Sequence, residues 1–99
     1  MDSVLENSDV IYVATPNRFH KAPILAALKA DKFVYCEKPL SYDLDSSYEM
    51  LCAAKEKPQL FAGVNFIYRR SPALAYARWL VETGALGAIC RTNEVYIQS

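Results

Sequence analysis

Three short apolar segments rich in β-formers, separated by two helical stretches, constrain this chain more than any other feature. Val10 to Ala14 runs apolar without a break between Asp9 and the Thr15-Pro16-Asn17 turn, the pattern of a strand buried on both faces. Phe33 to Cys36 follows the turn Ala30-Asp31-Lys32 as a second strand, and Leu60 to Phe66 reads as a third. Between the first two, Ile24, Ala27 and Leu28 fall on one helical stripe. Pro23 is tolerable there only in the first turn, which puts the helix start near His20. Between the second and third strands, Asp43 is a good N-cap for a segment whose Leu44, Tyr48, Leu51 and Ala54 keep helical spacing until Lys57-Pro58 stops it. Strand, helix, strand, helix, strand at these loop lengths means successive right-handed βαβ units and a parallel sheet. The fold class is α/β.

Beyond the third strand, Ser71 as N-cap, Pro72 at the first helical position and Gly84 just past the end bracket a further helix with the Pro-start, Gly-stop asymmetry. Ile89 to Ile97, interrupted by Arg91, Asn93 and Glu94, is expected to be a strand with one solvated face in a different, open sheet. Helices added in one direction cover one face of the parallel sheet and leave the other bare. The chain is therefore expected to be part of a larger domain, or to cover that face as a homo-oligomer.

Charge and cysteine content exclude several partners. Lys+Arg 11 against Asp+Glu 11, with no basic stripe, lacks the electrostatic footprint of a nucleic-acid or anionic-membrane binder. No apolar run reaches the ~20 residues of a membrane span. The N-terminus, with Asp2 and Glu6, lacks the basic head and apolar run of a signal peptide, so a cytoplasmic location is expected. Cys36, Cys52 and Cys90 have no CxxC spacing, and the single His20 cannot complete a zinc quartet with them.

Ligands of open parallel sheets bind beyond the carboxyl ends of the strands. All three strands deliver polar residues there: Thr15-Pro16-Asn17 with His20 close behind, Glu37-Lys38-Pro39, and Asn65 followed by Tyr68-Arg69-Arg70. Lys38 is the sharpest candidate, because a lysine ending a buried strand can shed part of its hydration, exchange a proton and hydrogen-bond a substrate hydroxyl. Glu37 would then balance or orient it. The competing reading makes Glu37 and Lys38 a solvated loop pair before a turn proline. For His20 it is a helix-start residue satisfied by backbone groups, and for Arg69 and Arg70 it is surface charge. Cys36 has no second histidine to activate it and reads as a small buried strand residue. None of Gly63, Gly84 and Gly87 stands in a G-x-G-x-x-G arrangement after a strand, so the pyrophosphate turn of a dinucleotide fold is not among these residues.

The run Asp9-Val10-Ile11-Tyr12-Val13-Ala14-Thr15-Pro16-Asn17 with His20, and Val34-Tyr35-Cys36-Glu37-Lys38-Pro39-Leu40 after Ala27-Leu28-Lys29-Ala30, resembles the Gfo/Idh/MocA oxidoreductases. Gly63-Val64, Arg69 three residues before Pro72, and Gly84-Ala85-Leu86-Gly87 continue the match. The resemblance implies a Rossmann fold followed by an α+β substrate domain. It also implies NAD or NADP as cofactor, and hydride transfer to or from a sugar, cyclitol or related polyol. By motif, Ala14, Thr15, Pro16, Asn17 and His20 would line the cofactor, and Glu37 and Lys38 would lie near the nicotinamide ribose. Lys38 would also approach the reacting hydroxyl, and Arg69 would sit near the nicotinamide end. Arg70 departs from the pattern, standing where the family often has an aromatic.

The family's glycine-rich turn falls upstream of Met1 and its Asp and His pair downstream of Ser99. Residues 1–70 are thus expected to be the second half of a Rossmann domain, and 71–99 the linking helix and first strand of the substrate domain. Such a piece is expected to be inactive alone. Two rivals remain. One is a non-catalytic remnant. The other is a phosphorelay receiver, whose strands also end in a small hydroxyl residue and in Lys-Pro, as Thr15 and Lys38-Pro39 do; but only Asp2 and Asp9 precede Thr15, neither after an apolar strand.

Overall fold

A computed structural model describes residues 2–95, which fall into two compact units dividing between Phe66 and Ile67. The first contains α1 (Asp2–Glu6), β1 (Val10–Val13), α2 (Lys21–Lys29), β2 (Phe33–Glu37), α3 (Leu44–Lys55) and β3 (Ala62–Asn65), with a 3-10 turn at Asn17–Phe19. The second contains a 3-10 turn at Ile67–Arg70 and α4 (Pro72–Glu82).

The three strands pair in parallel in the order β1-β2-β3, as the βαβ pattern requires. Val13 stands beside Cys36, Cys36 beside Val64 and Glu37 beside Asn65, so the carboxyl ends are level. The third strand is shorter than its apolar run. Leu60 N–H closes a turn on the Lys57 carbonyl at 2.9 Å, and Phe66 N–H turns back to Val64 at 3.0 Å.

Helices α2 and α3 cover one face. Ile11 and Val13 of β1 and Val34 and Cys36 of β2 point into a core completed by Ile24, Ala27, Leu28 and Met50. Side chains alternate along a strand, so the intervening residues face the other way. Val10 and Tyr12, each 55% exposed, lie on an uncovered face. The expectation that β1 is buried on both faces fails for this reason, while the expected bare face is present.

Helix ends follow local chemistry. Pro23 lies in the first turn of α2, where its missing N–H has no helical partner to lose. At the other end Asp31 adopts φ 55°, Lys32 N–H reaches the Ala27 carbonyl at 2.9 Å and Asp31 N–H that of Leu28 at 3.1 Å. This pair of bonds satisfies the last helical carbonyls and reverses the chain into β2, whose Phe33 N–H bonds Asp9. Gly84, at φ 72°, does the same for α4, its N–H on Val81 and that of Ala85 on Leu80. Asp43 caps α3 with its Oδ1 2.7 Å from Ser46 N.

The expected strand from Ile89 to Ile97 is not found: residues 89–95 have no regular structure, and positions 96 and 97 lie outside the described residues. A strand exists only when its backbone groups pair with a neighbour, and no strand beyond β3 is present among the described residues to supply one.

Leu28 is 2% exposed and Leu44 81%. Leu28→Ala should therefore cost about 2–5 kcal/mol in urea unfolding and Leu44→Ala less than about 0.5 kcal/mol; equal losses would mean that the core is not where α2 places it. The Asp43 carboxyl is held below its ordinary pKa, first by the Ser46 backbone N–H. The cap's contribution is thus complete above the unfolded carboxyl's pKa and lost as pH falls through the lower folded value. Thermal melts of wild type and Asp43→Asn, which keeps a capping oxygen but cannot ionise, should converge in acid.

Candidate functional site

β2 is the central strand, and Lys38 is the first residue past its carboxyl end, exposed and joined to Pro39 by a cis peptide bond. Beside it, β1 runs out into Ala14, Thr15 and Pro16, all exposed, and the partly exposed Asn17 that opens the 3-10 turn. These residues form a polar rim at the carboxyl edge of the sheet. Lys38 lies past the strand with its surface open to solvent.

The alternation of β2 sends its last two side chains in opposite directions. Cys36 enters the covered core, where burial first, and the negative charge of Glu37 second, push its thiol pKa up; it is a protonated packing residue, as its sequence context indicates. Glu37 points to the uncovered face. Its Oε1 accepts from the Tyr12 hydroxyl of β1 and, at 2.7 Å, from Asn65 Nδ2 of β3. Tyr35 hydroxyl donates to Asn65 Oδ1 at 2.8 Å. The Tyr12 hydrogen bond, then that of Asn65, lowers the Glu37 pKa, and the same Tyr12 contact raises the phenol's. Glu37 is thus a fixed carboxylate bridging all three strands, and after Tyr12 and Asn65 the backbone N–H and the charge of Lys38 also help to lower its pKa.

Sequence reading missed Tyr12 and Tyr35 as members of this cluster. Their signal was the period of two: Tyr12 shares a face with Val10, and Tyr35 with Glu37, so two phenols and a carboxylate fall on one side once the strands pair.

His20 is set behind the rim. It is 1% exposed, with Nε2 2.5 Å from the Thr15 carbonyl oxygen and Nδ1 3.1 Å from that of Leu40. Arg69 is exposed in the 3-10 turn of the second unit. An apolar cavity of about 160 Å³ between α3 and β3, lined by Met50, Ala54 and Val64 among others, offers no set of polar groups to orient a substrate and is a packing feature. Among the described residues no cluster of His, Cys, Asp and Glu could hold a metal ion, and no helix is long and apolar enough to cross a membrane.

Residues 1–66 match the model of an oxidoreductase family with an NAD-binding Rossmann fold. Levoglucosan dehydrogenase of Pseudarthrobacter phenanthrenivorans is 39% identical over 98 residues, covering 97% of this chain and 25% of that protein. Inositol 2-dehydrogenase of Rhodococcus erythropolis is 35% identical over 82 residues, covering 83% and 24%. Among solved structures, myo-inositol 2-dehydrogenase from Lactobacillus plantarum superposes with a TM-score of 0.81 at 29% identity, covering 88% of this chain and 26% of the other. Scyllo-inositol dehydrogenase from Lactobacillus casei, with bound NAD(H) and scyllo-inositol, gives 0.79 at 27% identity, covering 87% and 26%. The chain spans about a quarter of the length of these relatives. A phosphorelay receiver is set aside by these matches. The chain whose central strand leads through Glu37 into Lys38-Pro39 belongs to the Gfo/Idh/MocA oxidoreductase family, and residues 1–66 carry part of that family's NAD-binding Rossmann fold.

Proposed function

We propose that this chain supplies the nicotinamide-facing part of an NAD(P)-dependent oxidoreductase that transfers a hydride to or from a sugar, cyclitol or related polyol. The observation that carries the reading is Lys38, exposed at the end of the central strand beside the polar rim of residues 14–17. The dehydrogenases among its relatives act, by name, on levoglucosan and inositol, which supports a cyclic polyol or anhydrosugar as the substrate class. Three free thiols fit a reducing compartment, in keeping with a cytoplasmic enzyme.

The residues fit one end of the cofactor. Thr15 and Asn17 offer donors and acceptors suited to a carboxamide and a ribose, on exposed backbone that a planar ring can approach. They do not fit the other end: none of the three glycines, Gly63, Gly84 and Gly87, stands in the loop that follows β1, so among the described residues that loop offers no glycine-rich backbone cradle for a pyrophosphate. When bound, the nicotinamide supplies the carbon that gives or takes the hydride. Lys38 Nζ hydrogen-bonds the substrate hydroxyl and holds or moves its proton. Ala14, Thr15, Pro16 and Asn17 orient the nicotinamide end, and Glu37 borders it as a fixed carboxylate. Arg69 is assigned to the same end on its motif position alone. Residues 1–70 are assigned to the cofactor domain and 71–99 to the start of the substrate domain; the break in compactness falls four residues before that boundary, after Phe66.

Lacking the pyrophosphate cradle and a second acid/base group, the 99-residue chain alone should not turn over substrate. Calorimetry with NAD should give weak or no binding, and micromolar affinity would refute this. In a chain extended to the relatives' full length, assayed over a panel of polyols, Lys38→Ala should lower kcat by about 10²–10⁴ with a smaller change in KM. Unchanged turnover removes Lys38 from the reaction.

A further inference from the structure

His20 is buried next to the rim without facing it. Its three partners come from separate stretches: the Thr15 carbonyl from the loop after β1, Cys36 from β2, and the Leu40 carbonyl from the loop after β2. Cys36 and Leu40 bracket Lys38, two residues to either side. One imidazole thus joins the segment carrying Thr15, Pro16 and Asn17 to the segment carrying Lys38.

The ring's donor assignment follows from its surroundings. A neutral imidazole has one N–H and a charged one has two. In both states Nε2 must carry a proton, because a bare lone pair 2.5 Å from the Thr15 carbonyl oxygen would meet only another lone pair. Nδ1 then accepts the Cys36 S–H, whose sulfur is 3.2 Å away and equally near the Glu37 carbonyl oxygen, or, in the charged ring, donates to Leu40 O at 3.1 Å. The Nε2–Thr15 bond is the constant element.

We propose that His20 is a positioning residue that touches no cofactor atom and acts through the Thr15 carbonyl at Nε2 and, at Nδ1, through Cys36 in the neutral ring or the Leu40 carbonyl in the charged one, fixing the spacing between the two loops that present Asn17 and Lys38. This replaces the direct contact implied by its motif position. Its meaning for catalysis rests on the nicotinamide reading of the rim, but the clamp itself does not.

The test uses the 99-residue chain with neither cofactor nor substrate, so that it stands or falls apart from hydride transfer. In nitrogen–proton NMR of the wild type, the His20 ring should show a protonated Nε2 whose hydrogen exchanges slowly with water. An Nε2 without a proton, or one exchanging as fast as in an exposed imidazole, overturns the clamp. His20→Gln places an amide nitrogen close to the Nε2 position, whereas His20→Asn places its amide near Nδ1. In the Asn variant the Phe19 amide, bonded to Pro16, and the Asp43 amide, bonded to Ser41 Oγ, should exchange faster by on the order of tenfold, with the core amide of Val34 unchanged. The Gln variant should restore most of that protection. Equal loss in both variants at all three amides means that His20 merely fills the core, and overturns the proposal. If neither variant folds, the wild-type ring spectrum decides alone.

Discussion

Everything positioned at the carboxyl edge depends on the parallel register of three short strands. A parallel ladder aligns strand ends that are far apart in sequence: Val13, Cys36 and Val64 occupy one row, and Glu37 and Asn65 the next. A slip of one residue in β2 would exchange its faces, sending Glu37 into the core and Cys36 outward. The register is protected by the burial of Val34 and Cys36 against α2 and α3, and by the Asp31 turn that delivers Phe33 to its bond with Asp9. Helix packing and turn chemistry therefore determine where Lys38 emerges.

The end of β2 is tied on both sides. On the covered face Cys36 meets His20, whose ring also meets the carbonyls beyond β1 and β2. On the uncovered face Glu37 receives Tyr12 from β1 and Asn65 from β3. On the covered side the polar partners are buried and the imidazole meets backbone carbonyls, whereas the open side uses a carboxylate that is only partly buried. Side-chain polar groups at a strand end that bridge neighbouring strands restrict the loop that follows, and here that loop begins with Lys38.

Much of this was legible in the sequence, because the relevant signals are local. Pro23, Asp43, Pro72 and Gly84 mark helix ends through their own backbone or side-chain chemistry, and each stands where that chemistry requires. The βαβ alternation fixed the parallel order. What escaped depends on partners distant in the chain. Val10 to Ala14 looks buried on both faces because an apolar run carries no record of which face is covered. The residues from Ile89 looked like a strand, yet strands are defined by a neighbour. The cluster of Tyr12, Tyr35, Glu37 and Asn65 was invisible until pairing brought four residues from three strands together. His20 was legible as a helix-start residue met by backbone groups, but not the identity of those groups.

The uncovered face is itself graded along the strands. Val10 and Phe33 share its first row, Tyr12, Tyr35 and Gly63 its second, and Glu37 and Asn65 its third, so the face passes from apolar through aromatic to polar toward the carboxyl edge. Tyr12 stacks on Tyr35 with centroids 5.9 Å apart, and Tyr35 meets Phe61 at 6.3 Å. Gly63 makes the second contact possible, since a Cβ there would lie 2.6 Å from the Phe61 ring. Packing alone would favour an apolar face along its whole length, because each buried hydroxyl or carboxylate needs a partner. The gradient is accounted for if apolar contact is confined to the amino end of the sheet while the carboxyl end must keep charged and hydrogen-bonding groups in fixed positions beside Lys38.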